Sequence, residues 1–175
     1  MNSYKMGFYF GIFVIVAVFL IAVFAKKAKK CNENYDERQI LIRGKGYKLS
    51  FITMVILNLF YSCFFYGLTK DTVSPQFVFI AIAYIGIIVY TLYCIFNDAY
   101  LQIGQNYKKW ELVLIFVAAA NGFAAFASNE KTFFADGYAT GFSTNLLFAI
   151  SFVIILISMF VKQLLDKRGD VNEES

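Results

Sequence analysis

The sequence predicts an all-α integral membrane bundle with five transmembrane helices, N-terminus outside and C-terminus inside, and three observations predict it. Hydrophobic residues make up 59% of the 175 positions and charged ones only 16%, against about 25% charged in an average soluble domain. The apolar residues fall in blocks of about 20, the length a helix needs to cross a hydrocarbon core. Charge is concentrated in one block, residues 26–51, between two greasy runs. A single membrane domain over residues 1–165 follows, with a polar tail at 166–175. The net charge of +4 comes from membrane-flanking segments, where orientation and anionic lipid account for it and nucleic acid is not implied.

The first span is expected at about 6–25, a block of Phe, Ile, Val and Ala. Val23-Phe24-Ala25 has the small-x-small form of a signal-peptide cleavage site. Two features favour an uncleaved span instead. Its apolar core exceeds the roughly 7 to 15 residues of a signal h-region, and Lys26, Lys27, Lys29 and Lys30 would have to cross the membrane behind it. Gly7 and Gly11 form a GxxxG pair that lets another helix approach, or that is simply tolerated in a membrane helix.

The basic loop at 26–48 follows, and it contains a helix start. Asn34 with Glu37 three residues later fits a capping box, with Asp36 in the first turn, where the helix dipole favours negative charge. A short helix from about Tyr35 is predicted, with Gly44 and Gly46 loosening the chain before the membrane and Tyr47 and Lys48 at the interface. The RGKGYK run is no phosphate loop, because GxxxxGK[ST] is absent and no strand precedes it.

The run Tyr35–Phe51, YDERQILIRGKGYKLSF, resembles a segment shared by small multi-pass membrane proteins of Gram-positive bacteria. In these a DERQ tetrapeptide and a following RG.GY.LSF precede a transmembrane helix. The matching positions are Asp36, Glu37, Arg38, Gln39, Arg43, Gly44, Gly46, Tyr47, Ser50 and Phe51. The resemblance implies a bacterial cytoplasmic membrane and no particular activity.

The second span is expected at about 49–68, and the third at about 77–96, with Pro75 where proline prefers to open a helix. The fourth is expected at about 110–127, behind the interfacial anchor Lys108-Lys109-Trp110. The fifth is expected at about 145–161. Between the last two lies an aromatic loop, 128–144, placed at the outer interface. Orientation follows from Lys and Arg: with the 26–48 loop inside, thirteen of the sixteen lie on the inner side, and only Lys5, Lys70 and Lys131 lie outside. Cys63 and Cys94 then differ in depth by about 18 Å, too far for a disulfide. Cys31 adds no CxxC or metal-ligand spacing.

The chain has no histidine, which removes HExxH metal sites and Ser-His hydrolase pairs. No ionisable residue falls inside a span except near its ends, as at Glu111, which counts against proton-coupled transport. No catalytic residue, metal or cofactor site is therefore assigned. Two sets of candidate residues remain. Asp36, Glu37, Arg38, Gln39 and Arg43 either pack and cap within the chain or contact a partner protein or lipid phosphate. Asn58, Tyr84, Asn121 and Ser151 lie about 13–18 Å from the inner end, as a layer of interhelical hydrogen bonds or the lining of a path. Ala118, Ala119, Ala120, Gly122, Ala124 and Ala125 suggest that the fourth span is the central helix. Helices two-three and four-five would form two hairpins. The expected function is a non-catalytic accessory, regulatory or immunity-type membrane protein that presents the DERQ loop to a partner. The alternative is a small transporter or channel for an uncharged solute.

Overall fold

Four long helices build the described part of the protein. The computed structural model describes residues 35–173 apart from 70, 104, 106, 130, 136 and 137. The expected first span with Gly7 and Gly11, the basic run from Lys26 to Lys30, Cys31 and Asn34 lie outside the described residues. Helix α1 is Glu37–Thr69, α2 is Pro75–Phe96, α3 is Tyr107–Ala127 and α4 is Gly141–Glu173. Each is long and apolar enough to cross a membrane.

Helix α1 begins two residues later than its sequence suggests. Asp36, in extended conformation, is the N-cap: its carboxylate accepts from the Gln39 backbone N–H at 2.6 Å, and the Gln39 side chain accepts from the Asp36 N–H at 3.4 Å. The capping box is thus Asp36–Gln39, and Asp36 precedes the first turn instead of lying in it. Nor is there a separate short helix, because α1 runs unbroken through Gly44 and Gly46. A Cβ on Gly46 would stand 3.1 Å from Tyr93 and 3.2 Å from Tyr90 on α2, so this glycine permits close approach and does not loosen the chain. At 33 residues, α1 is roughly 50 Å long and exceeds a hydrocarbon core of about 30 Å. A π turn at Tyr61–Phe65 shifts the helix face and turns Tyr61 inward, edge-on to Phe79 of α2.

The helices pack in the order α1, α2, α4, α3. The two sequential hairpins, α1–α2 and α3–α4, join through α2 against α4. This corrects the placing of the small-residue helix. Helix α3 is at the edge and packs chiefly on α4, while α2 and α4 are central. Ala118 and Ala125 are buried, but Ala119, Ala120 and Ala124 face outwards and a Cβ on Gly122 would meet nothing.

Burial runs opposite to that of a water-soluble bundle. Phe51, Ile56, Leu59, Phe116, Phe123 and Phe160 are exposed, while Ser50, Thr91, Ser151 and Ser158 are buried. Hydrocarbon solvates leucine and phenylalanine as well as a protein core does, so small and hydroxyl side chains take the helix contacts. An apolar knot of Ile95, Leu114, Ile155 and Met159 ties α2, α3 and α4 together near one end.

At the opposite end the aromatic loop is folded. Strands β1 (Phe134–Ala135) and β2 (Tyr138–Ala139) pair antiparallel, Phe134 with Ala139 and Ala135 with Tyr138. Phe134 meets Phe77 edge-on in the first turn of α2, and Phe133 meets Phe142. Thr140 caps α4: its hydroxyl accepts from the Ser143 N–H at 3.3 Å and donates to the Thr132 carbonyl at 2.6 Å. Thr140→Ala removes both bonds and is expected to cost about 1 kcal/mol. Faster proteolysis between residues 128 and 140 would check it, with the cleavage rate elsewhere unchanged.

Candidate functional site

The polar groups converge where α1 begins, α2 ends, α3 begins and α4 leaves the bundle. At 100° per residue, positions 39, 43, 46, 47 and 50 share one face of α1, and this face is turned onto α2 and the loop behind it. The Gln39 side-chain amide donates to the carbonyls of Asp98 (2.8 Å) and Leu101 (3.2 Å), and the Arg43 guanidinium donates to the Ala99 carbonyl at 3.2 Å. The same guanidinium lies over the rings of Tyr35 and Tyr90, 4.2 and 5.7 Å from their centroids. Tyr90 stacks on Tyr47 at 4.2 Å. Two turns further on, the buried Ser50 hydroxyl donates to the Gly86 carbonyl at 2.7 Å.

The loop can accept these bonds because α2 ends in a defined way. The Ala99 N–H donates to Cys94 and the Asp98 N–H to Ile95, the paired bonds of a Schellman stop. Asp98 takes the left-handed position at φ 59°, which aspartate tolerates better than most residues. Ala99 and Cys94 are both fully buried beneath it. The stop turns the Asp98, Ala99 and Leu101 carbonyls towards α1, while the Asp98 carboxylate faces α4 and pairs with Lys162 at 3.0 Å. Lys162 also binds Asp166 at 2.7 Å, and Gln163 hydrogen-bonds Glu111 of α3. One loop thus fastens α1 by its carbonyls and α4 by its carboxylate. Burial pushes the Tyr100 phenol in this loop above its ordinary value, so it stays neutral beside Arg43 at physiological pH.

The DERQ residues therefore divide. Asp36 and Gln39, together with Arg43 one turn further on, are used inside the fold. Glu37 and Arg38 are exposed and bond to no described residue. The second candidate set is bonded within single helices: Asn58 to the Met54 carbonyl, Asn121 to Val117 and Ser151 to Leu147, each at 2.8 Å. Tyr84 stacks on Phe148 at 4.4 Å.

Sequence reasoning missed Asp98, Lys162 and Asp166. The signal for the first was Asn97-Asp98 directly after an apolar helix, a polar pair suited to a left-handed stop. For the others there was only a lysine one turn before an aspartate, a common surface pattern. Cys94 is buried without a base beside it. Among the described residues, no cluster of His, Cys, Asp and Glu is arranged to hold a metal. What the arrangement does chemically is fasten: it orders one end of the helix bundle and holds the first turns of α1 in a fixed direction. Comparison of the chain with protein-family models, with curated proteins and with solved structures finds no match.

Proposed function

We propose that this chain is a non-catalytic accessory, regulatory or immunity-type protein in a bacterial cytoplasmic membrane. It crosses the bilayer five times with its N-terminus outside, and it offers the start of α1 to a partner protein in the cytoplasm. The observation that carries this reading is the division within DERQ. Gln39 and Arg43 anchor the helix, and as a result Glu37 and Arg38 stand outward on a rigid support. Preorganised charges of this kind suit recognition, because little conformational freedom is lost when they are bound. The side assignment rests on the positive-inside rule: Arg38, Arg43, Lys45, Lys48, Lys108, Lys109, Lys162, Lys167 and Arg168 share one end of the described bundle, and Lys131 lies at the other.

The test is extraction of the protein from its native membrane in mild detergent through a tag on the C-terminal tail. A second protein in stoichiometric amount is expected. Reversing both exposed charges, Glu37→Lys with Arg38→Glu, is expected to lower its recovery at least tenfold, as loss of two charge pairs implies, with the melting temperature unchanged. Undiminished recovery from that variant sinks the reading.

A further inference from the structure

The face of α1 turned away from the clasp carries Lys45 and Lys48 in an unusual setting. With Leu41, Leu49 and Ile52 they share one exposed stripe of the helix, nearly opposite the Gln39–Arg43–Ser50 face. Contacts across the α1–α2 seam give their depth. Ser50 meets Gly86, and Gly46 meets Tyr93 and Cys94. Lys48 thus lies roughly 10 Å, and Lys45 roughly 5 Å, from the inner end of α2 towards the outer side. Both ammonium groups leave the helix beside apolar side chains that face lipid.

No carboxylate of the hairpin can neutralise them. From Arg38 to Asn97 the sequence holds a single acidic residue, Asp71, in the turn at the far end of α1. Of the other acidic groups described at the inner end, Asp36 caps α1, Asp98 and Asp166 hold Lys162, and Glu111 holds Gln163, while Glu37 lies two turns before Lys45, about 12 Å away along the helix. Among the described residues neither lysine has an ion-pair partner. A cation at the edge of hydrocarbon bends towards the headgroup layer and recruits anions there.

We propose that Lys45 and Lys48 form a binding site for the phosphate of an anionic phospholipid of the inner leaflet, with its acyl chains along Leu49 and Ile52. The inference rests on the membrane placement of α1 and not on the partner protein. The phosphate spans the two ammonium groups one turn apart, with the glycerol towards Leu49 and the headgroup towards Leu41.

The experiment is native mass spectrometry of the full chain released from micelles containing phosphatidylglycerol or phosphatidylcholine. A one-to-one phosphatidylglycerol adduct is expected for the unaltered protein. Lys45→Gln with Lys48→Gln should weaken it on the order of 25-fold, about fivefold per lysine, and leave phosphatidylcholine adducts unchanged. Lys45→Arg with Lys48→Arg should retain the adduct, and Lys131→Gln at the opposite end should have no effect. Equal binding of the two lipids by the unaltered protein would overturn the proposal even if the glutamine variant failed to fold. So would an equal loss in Lys131→Gln and the double glutamine variant, or displacement of the lipid by a co-purifying acidic protein bound through these lysines. A failure of the partner reading is seen separately, at Glu37 and Arg38.

Discussion

Replacing Gly86 by isoleucine is expected to separate α1 from α2. A Cβ at this position would stand 2.5 Å from Cγ and Sδ of Met54. Relieving this contact needs a new χ1 rotamer at Met54, which a helix restricts, and isoleucine adds further carbons beyond the Cβ, so the helices must part. The same carbonyl accepts the Ser50 hydroxyl at 2.7 Å, and a displaced backbone loses that bond as well. Overpacking of this kind costs about 3 kcal/mol, and the lost bond adds only about 0.6 kcal/mol, the average found for such contacts in membranes. Steric exclusion is therefore the dominant effect. Unfolding in mixed micelles by a graded denaturing detergent would measure it. Gly44→Ala is the matched control on the same seam-forming helix: a Cβ there meets nothing within 4 Å, so it should stabilise α1 by about 0.5–1 kcal/mol. If both glycines responded alike, the α1–α2 seam described above would be wrong.

The double substitution Gln39→Ala with Arg43→Ala is expected to release the start of α1 and leave the four-helix core intact. It removes three hydrogen bonds to loop carbonyls and the guanidinium stacked between Tyr35 and Tyr90. The freed carbonyls lie at one end of the bundle, and water reaches them once the start of α1 lifts away, so the penalty for unpaired acceptors is small. About 2 kcal/mol remains from the lost bonds and the cation–ring contact, which raises the open population roughly 30-fold. Cys94 reports the opening, because its thiol lies fully buried under Gly46 and the loop. With Cys31 and Cys63 replaced by serine, maleimide labelling of Cys94 should accelerate by a similar factor. Labelling that stays at the starting rate would show that the clasp is not what covers this thiol.

Set beside the reversal of Glu37 and Arg38, the Gln39 and Arg43 variant also separates the roles mixed in this short run. Adjacent residues of a helix diverge by 100°, so Arg38 and Gln39 cannot serve the same neighbour. A reversal of Asp36, Glu37 and Arg38 together would remove the helix cap along with the exposed charges. The informative pair is Glu37 and Arg38 on one side, Gln39 and Arg43 on the other.

Much of the fold is legible in the sequence. Hydropathy marked all four described helices, α2 and α3 within a few residues, because burial of backbone polar groups in lipid leaves helices as the economical solution. By contrast, α1 starts at Glu37 and α4 ends at Glu173, well beyond the apolar stretches at 49–68 and 145–161. Pro75 marked the start of α2, and the acidic-polar run after residue 33 marked a capping box, displaced by two residues. The errors share a cause. Gly44 and Gly46 were read as loosening because glycine is flexible in isolation, and only the rings of Tyr90 and Tyr93 reveal that Gly46 is a contact surface. The alanine-rich helix was placed at the centre because small residues favour close packing. Its alanines lie on two sides, however, and α4 occupies only one of them.

The sequence by itself determined the number of described apolar helices, the basic end and the polar start of α1, since these depend on local composition and on spacing along one helix. The tertiary structure alone decided the order α1, α2, α4, α3, the clasp of Gln39 and Arg43 on the 98–101 carbonyls, and the bridge from Asp98 to Lys162. Each of these joins groups at least 55 residues apart in the chain, and which distant groups meet is set by helix rotation and register, which no local pattern encodes.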